Sequence, residues 1–216
     1  MTLGHQRLFL HGREVTALRK DFKNEFGSWP ATLDDYQWGD YADGFFRDFL
    51  GVARLTVVDA SAYEGADVIH DMNIGVPSEF FNQFDAVIDC GSLEHIFNVP
   101  VALTNLAKML NVGGTIFITT PANNLMGHGF YQFSPELMFR VFAEENGFSL
   151  HGLRLCEARF PAVELTRNRR IFAVKDPQRV HKRVGLISWR PARMMVVATK
   201  TEDSDVFARP DLGHLA

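Results

Sequence analysis

The chain is predicted to be an α/β protein built on a doubly wound, mostly parallel sheet with helices on both faces. Two observations predict it. Short runs rich in Val and Ile recur along the chain, and they are apolar on both faces, as strands covered on two sides must be. Segments with apolar residues three and four apart separate them, which is the pattern of crossover helices. Right-handed crossovers then wind the sheet in both directions.

The elements follow in order. RLFLHG, residues 7–12, is an apolar run ended by glycine and reads as the first strand. Residues 13–28 carry Val15, Leu18, Phe22 and Phe26 at helical spacing. Trp29 to Asp43 has no clear period and reads as loop or short helix. DGFFRDFLGV, residues 43–52, reads as a helix with Phe45, Phe46, Phe49 and Leu50 facing inward and Gly51 closing it. ARLTVVDAS, ADVIHDM and FDAVIDCG are three further strands. VPVALTNLAKMLNVGG is a helix that starts beyond Asn98 and stops at a double glycine, and TIFITTP is the next strand. SPELMFRVFAEENG is a helix with Ser134 as N-cap, proline at its first position and a glycine stop. FSLHGLRLCEA and RMMVVATKT add two strand candidates. Between them residues 159–193, with Pro161, Pro177 and Pro191, read as an insertion.

Composition bounds the partners. A chain of 216 residues fits one domain, here with insertions near 13–43 and 159–193, and it buries enough surface to need no staples. The net charge of −4 offers no polyanion-binding surface, so no nucleic acid is expected. A late basic cluster (Arg167, Arg169, Arg170, Lys175, Arg179, Lys182, Arg183, Arg190) is either a solvated face or a holder of an anionic group. Cys90 and Cys156 have neither metal-ligand spacing nor a disulfide framework, and no metal is expected. The apolar start is too short for a signal peptide, and no run approaches the roughly 18 apolar residues of a membrane span. A cytoplasmic protein without membrane association is the expectation.

In open α/β sheets ligands bind beyond the carboxyl ends of the strands. The polar residues there are His11, Gly12 and Arg13; Asp59, Ala60 and Ser61; Asp71, Met72 and Asn73; Asp89 to Ser92; and Thr120 to Asn124. An acid ending the second strand suits a ribose, whose two hydroxyls can both donate to one carboxylate. Asp59 closes LTVVD in that position. Asp71 would accept from an adenine amino group, or else start an Asx-turn at Asp-Met-Asn. His128 and Tyr131 in GHGFYQFS lie past the fifth strand and are the candidate substrate side, with aromatic packing as the competing reading. His95 is the candidate catalytic base, with helix capping as the alternative.

The segment FDAVIDCGSLEHIFNVPVALTNLAKMLNVGGTIFITTPANN resembles the strand 4–helix–strand 5 portion of class I S-adenosylmethionine-dependent methyltransferases. The motif positions are Phe84-Asp85, Leu93-Glu94-His95, Leu110 and Gly113-Gly114. The resemblance implies a Rossmann-like, seven-stranded sheet whose antiparallel last strand is RMMVVATKT. It implies S-adenosylmethionine as cofactor, with Asp59 at the ribose, Asp71 and Met72 flanking the adenine, Cys90, Gly91 and Ser92 lining the cleft, and Ala60 among the cofactor-binding residues. The loop after the first strand departs from the family's G-x-G-x-G. Only His11-Gly12-Arg13 is offered, with Asp59 47 positions beyond Gly12 rather than about 20. Gly12 and Arg13 are nonetheless the expected contacts to the methionine end.

The expected function is methyl transfer from S-adenosylmethionine to a small-molecule acceptor, a sugar or another biosynthetic intermediate. The alternative is a non-catalytic protein that kept the fold and lost the cofactor loop. A nicotinamide-dependent oxidoreductase is disfavoured by the absence of G-x-G-x-x-G and of a Tyr-x-x-x-Lys pair.

Overall fold

A computed structural model describes residues 1–10, 12–31, 34, 39–157 and 170–207. Eight strands form one sheet: β1 (Thr2–Leu3), β2 (Val57–Asp59), β3 (Val68–Ile69), β4 (Phe84–Asp89), β5 (Leu110–Asn123), β6 (Phe148–Glu157), β7 (Arg170–Ala173) and β8 (Ala192–Lys200). Their order is β3-β2-β1-β4-β5-β8-β6-β7. The first five pair parallel with one another, and β8 runs antiparallel to both β5 and β6. Strand order therefore reverses at β1 and β4, the place where such sheets open a ligand crevice.

The strand rule holds where the runs are strong. Val87, Ile116, Ile118, Met194, Val196 and Ala198 are all buried, and they form the sheet's share of a continuous core. Helix α2 (Val99–Met109) lays Ala102, Leu103, Leu106, Ala107 and Met109 onto that core. Leu106 is fully buried, so truncating it to alanine would cost about 2–5 kcal/mol through lost transfer energy and a cavity. Helix α3 (Pro135–Val141) starts as its sequence dictates: Ser134 accepts from the Leu137 amide at 3.3 Å, with proline in the first turn. It is shorter than expected, and a 3-10 turn, Glu144–Asn146, carries the chain to Gly147 in the left-handed region. A short helix α4 (Pro177–Val180) precedes β8.

Four expectations need correction. The first strand is not RLFLHG but Thr2–Leu3, which pairs with β2 and β4. Residues 7–10 lie outside the sheet, where Arg7 makes only an isolated bridge to Tyr41. Two residues flanked by their neighbours suffice in the middle of a sheet, and so short a run leaves no period to read. Second, the sheet has eight strands rather than seven, because β7 pairs with β6 along its outer edge. Third, the helix α2 ends at Met109, before the double glycine. Asn111 to Gly114 belong to β5, with a register shift against β4 between Phe84 and Ala86. Gly114 sits there because a Cβ would lie 2.9 Å from the Asn111 carbonyl and 3.0 Å from that of Asp85. Fourth, the expected helix at 43–52 is a π-helical turn over Phe45–Phe49.

The segment between β1 and β2 holds helix α1 (Gly12–Phe26), in line with the periodicity of 13–28. None of its described residues is buried. It rests on an aromatic cluster in which Phe22 packs on Phe49 at 4.1 Å and on Phe26 at 4.6 Å, with Trp29 beside them. At the other end of the sheet Lys200 is buried. Its ammonium donates to Asn82 Oδ1, the Ala107 and Leu110 carbonyls and Asp203, tying β8 to α2 and β5.

Candidate functional site

A cavity of about 280 Å³ opens at the carboxyl ends of β1, β2, β3 and β4. Leu3 and Gly4 form one wall, Val58, Asp59 and Ala60 a second, His70 to Asn73 a third, and Gly91, Ser92, His95 and Ile96 the fourth. β2 and β4 end on Asp59 and Asp89, and Gly4 and His70 follow β1 and β3, so backbone that leaves the apolar sheet meets water or a ligand there.

Gly4 brings the backbone of the first strand next to two polar side chains. Its φ of +68° is left-handed, and a Cβ there would stand 3.5 Å from both Asp59 Oδ2 and Ser92 Oγ. Without that Cβ, the Asp59 carboxylate and the Ser92 hydroxyl share one opening. Asp59 Oδ1 is occupied by the Ser61 amide at 3.0 Å, whereas Oδ2 faces Gly4. Asp71 does start the Asx-turn: its Oδ1 accepts from the amide and side chain of Asn73 at 2.9 and 2.7 Å. These bonds hold its pKa below the usual carboxylate value, the backbone bond contributing most. Asn73 in turn accepts from the Asn98 amide, which locks this loop to the start of α2. Met72 is buried beneath the cavity as its apolar floor.

Behind the fourth wall lie two buried carboxylates. Asp89 accepts from the Ser92 and Leu93 amides at 2.8 and 3.3 Å, which shapes the turn after β4. Burial pushes its pKa up to about 7, against those hydrogen bonds and with some help from the neighbouring Glu94. Glu94 is fully buried, and its Oε1 lies 3.2 Å from His128 Nε2 while Oε2 accepts from the Thr120 hydroxyl at 3.3 Å. The His95 and His128 rings are 5.2 Å apart, edge to face. The loop 128–131 is fastened to the same turn, because the amides of Phe130 and Tyr131 both donate to the Glu94 carbonyl.

Of the expected cofactor residues, Asp59, Ala60, Asp71, Met72, Gly91 and Ser92 line this one cavity, and so does the expected base His95. Cys90 is exposed and does not line it. Gly12 and Arg13 stand at the exposed start of α1 and are also absent from its wall. The glycine after the first strand is Gly4, so the shift of β1 moves the expected loop contact from 12 to 4. His11 lies outside the described residues, as do Arg167 and Arg169 of the basic cluster. Tyr131 packs partly against the core, and its hydroxyl donates to the Phe97 carbonyl at 2.8 Å. Of the rest of the basic cluster, Arg170 faces Glu157 at 3.7 Å and Arg183 lines a separate cavity of about 680 Å³ beyond β5. That larger cavity is walled mainly by aliphatic groups and proline. Asp59 and Asp71 both line the smaller one.

Sequence reasoning missed Glu94. On a regular helix its side chain would point away from His95. The turn Leu93–His95 is instead 3-10, and it sends Glu94 into the protein and His95 to the cavity. The available signal was the pair of glycines around His128, since such flanking marks a close backbone approach.

No protein-family model matches the chain, and no curated protein sequence matches it. Solved structures are similar in shape. A Bacillus halodurans C-125 protein with a provisional methyltransferase name is 12% identical, with a TM-score of 0.49 over 76% of this chain and 88% of its own. A Thermotoga maritima protein described as an S-adenosylmethionine-dependent methyltransferase is 11% identical, with a TM-score of 0.44 over 72% of this chain and 77% of its own. The fold assignment rests on strand order rather than on these likenesses. With β8 antiparallel beside the parallel set and the order reversing at β1 and β4, the chain has the Rossmann-like sheet expected of class I methyltransferases.

Proposed function

We propose that this protein binds S-adenosylmethionine in the cavity at the ends of β1 to β4 and transfers its methyl group to a small-molecule acceptor. The observation that carries the reading is the convergence of Gly4, Asp59, Asp71 and Met72 on one opening. Asp59 Oδ2 and its partner oxygen would receive the ribose hydroxyls, Met72 and Ile96 would sandwich the adenine, and Asp71 would accept from its amino group. Gly4 leaves room for the methionine portion. At about 280 Å³ the cavity sits at the lower edge of the range for small-molecule sites, about 300–1,000 Å³.

Methyl transfer forms a bond from the acceptor's nucleophile to the methyl carbon and breaks the carbon–sulfur bond, whose electron pair stays on sulfur. The protein's contribution is mainly alignment, which can supply roughly 7–11 kcal/mol. Glu94, His95 and His128 form the polar group at the acceptor end, and exposed Phe97, Phe130 and Met126 give that rim an apolar surface. That combination supports a small acceptor with an oxygen or nitrogen nucleophile on a partly apolar body.

Calorimetric titration with S-adenosylmethionine, S-adenosylhomocysteine and NAD tests the reading. Saturable binding of the first two and none of NAD is expected. NAD binding without S-adenosylmethionine binding would overturn it.

A further inference from the structure

We infer that Glu94, His95 and His128 form a binding site for one divalent transition-metal ion at the rim of the cofactor cavity. One ligand atom from each residue lies within 4.8 Å of the other two. Zinc bonds of about 2.0–2.2 Å to nitrogen and oxygen put neighbouring ligand atoms about 3–4 Å apart. The pair Glu94 Oε1–His128 Nε2 is already at 3.2 Å. His95 is exposed, so a small side-chain rotation brings its nitrogen the remaining distance.

A second feature points to a ligand. Glu94 Oε1 is buried and receives no well-aligned hydrogen bond, its polar neighbour being the His128 nitrogen at 3.2 Å, whereas Oε2 of the same carboxylate has the Thr120 donor. Leaving a buried carboxylate oxygen so exposed to desolvation is costly unless a cation compensates it. The backbone of both neighbouring loops packs closely on this residue. A Cβ on Gly91 would stand 3.4 Å from Oε1, and a Cβ on Gly129 would stand 2.7–2.9 Å from the Glu94 backbone and side chain. Both glycines have positive φ, so the turn after β4 and the loop 128–131 are shaped around one carboxylate. The Thr120 hydroxyl orients that carboxylate from behind, the usual task of an outer partner at a metal site.

Two imidazoles and one carboxylate suit zinc, cobalt, nickel or iron better than magnesium or calcium. Three protein ligands leave coordination positions open, as catalytic rather than structural sites do. His95 also lines the cofactor cavity, so the site deepens the methyl-transfer reading and rests on it for its role. An acceptor hydroxyl bound there would lose its proton more readily, and the acceptor class would be an oxygen nucleophile. His95 would then act as a ligand instead of a base. The sequence holds no ligand spacing because His128 lies 33 positions beyond His95.

The experiment uses the full chain without a polyhistidine tag, stripped with EDTA and titrated with zinc chloride in a calorimeter. Cobalt chloride, followed by visible absorption, reports coordination geometry in parallel. One ion per chain is expected. His95→Ala and His128→Ala should each weaken zinc binding about 100-fold or more, since even outer partners are worth 10–100-fold. Thermal melts check that both variants fold. No stoichiometric zinc binding by the wild type, or unchanged affinity in either folded variant, overturns the site. The titration needs neither cofactor nor acceptor, so its failure leaves the S-adenosylmethionine measurement standing and is told apart from failure of that reading.

Discussion

Replacing Asp59 separates the cofactor's anchor from the turn that positions it. The carboxylate does two things: Oδ1 accepts from the Ser61 amide at 3.0 Å, and Oδ2 faces the opening beside Gly4. Charge-assisted hydrogen bonds contribute roughly 1.5–3 kcal/mol, whereas a neutral turn bond contributes about 0.5–1.5 kcal/mol. Asp59→Ala should therefore weaken S-adenosylmethionine binding about 10- to 150-fold at 25 °C. It should also lower stability by about 1 kcal/mol through the lost turn bond. Asp59→Asn keeps one acceptor for Ser61 but loses the charge, so it should restore most of the stability and little of the affinity. Isothermal calorimetry and chemical denaturation on all three proteins give the four differences from wild type that are needed. Unchanged affinity in a folded Asp59→Ala protein refutes the ribose assignment. Full recovery of affinity in Asp59→Asn would mean that turn geometry, not charge, holds the cofactor.

Other perturbations follow from the same site and its supports. Gly4→Val puts a β-branched side chain at a φ of +68°, costing about 1–2 kcal/mol in strain and filling the opening between Asp59 and Ser92. Calorimetry should find cofactor affinity lowered by at least about tenfold, and retained affinity would remove Gly4 from the site. Asp89 is protonated in the folded protein up to about pH 7 but ionises near 4 when unfolded, so folding takes up a proton in that window. Wild-type stability should fall as pH rises from 4 to 7 by up to a few kcal/mol. Urea denaturation of Asp89→Asn should give a flatter profile there, and identical slopes would contradict the burial argument. Lys200→Met leaves the Ala107 and Leu110 carbonyls without their buried donor, which should cost about 3–5 kcal/mol by the same denaturation measurement. A loss below about 1 kcal/mol would show that water replaces the ammonium.

The strands β2 and β4 were legible because their runs are apolar on both faces and each ends on an acid. LTVVD and FDAVID carry both signals, and Asp59 and Asp89 sit where those runs end. Thr2–Leu3 is followed by Gly4 but is only two residues long, so the stronger apolar run at 7–11 displaced it in the reading. Local rules also fail where distant chain segments set the geometry. Nothing near Glu94 in the sequence announces that it is buried against a histidine 34 positions later. The edge strand β7 escaped for a different reason. RIFA is only four residues long and sits beside prolines, which made the whole segment read as irregular.

The position of β8 also sets the order in which this molecule can be completed. It fills the gap between β5 and β6, and its pairing with β5 joins residues 84 positions apart at Thr115 and Thr199. During synthesis the parallel half is made first, with β5 as a bare edge, while the β6–β7 hairpin has nothing to lean on. Open edges of that kind invite pairing with other chains. Closing so long a loop before any contact rewards it also places the domain among slowly folding topologies. The strand that is translated after all the others is thus the one that seals the sheet, and refolding from denaturant should be limited by its insertion.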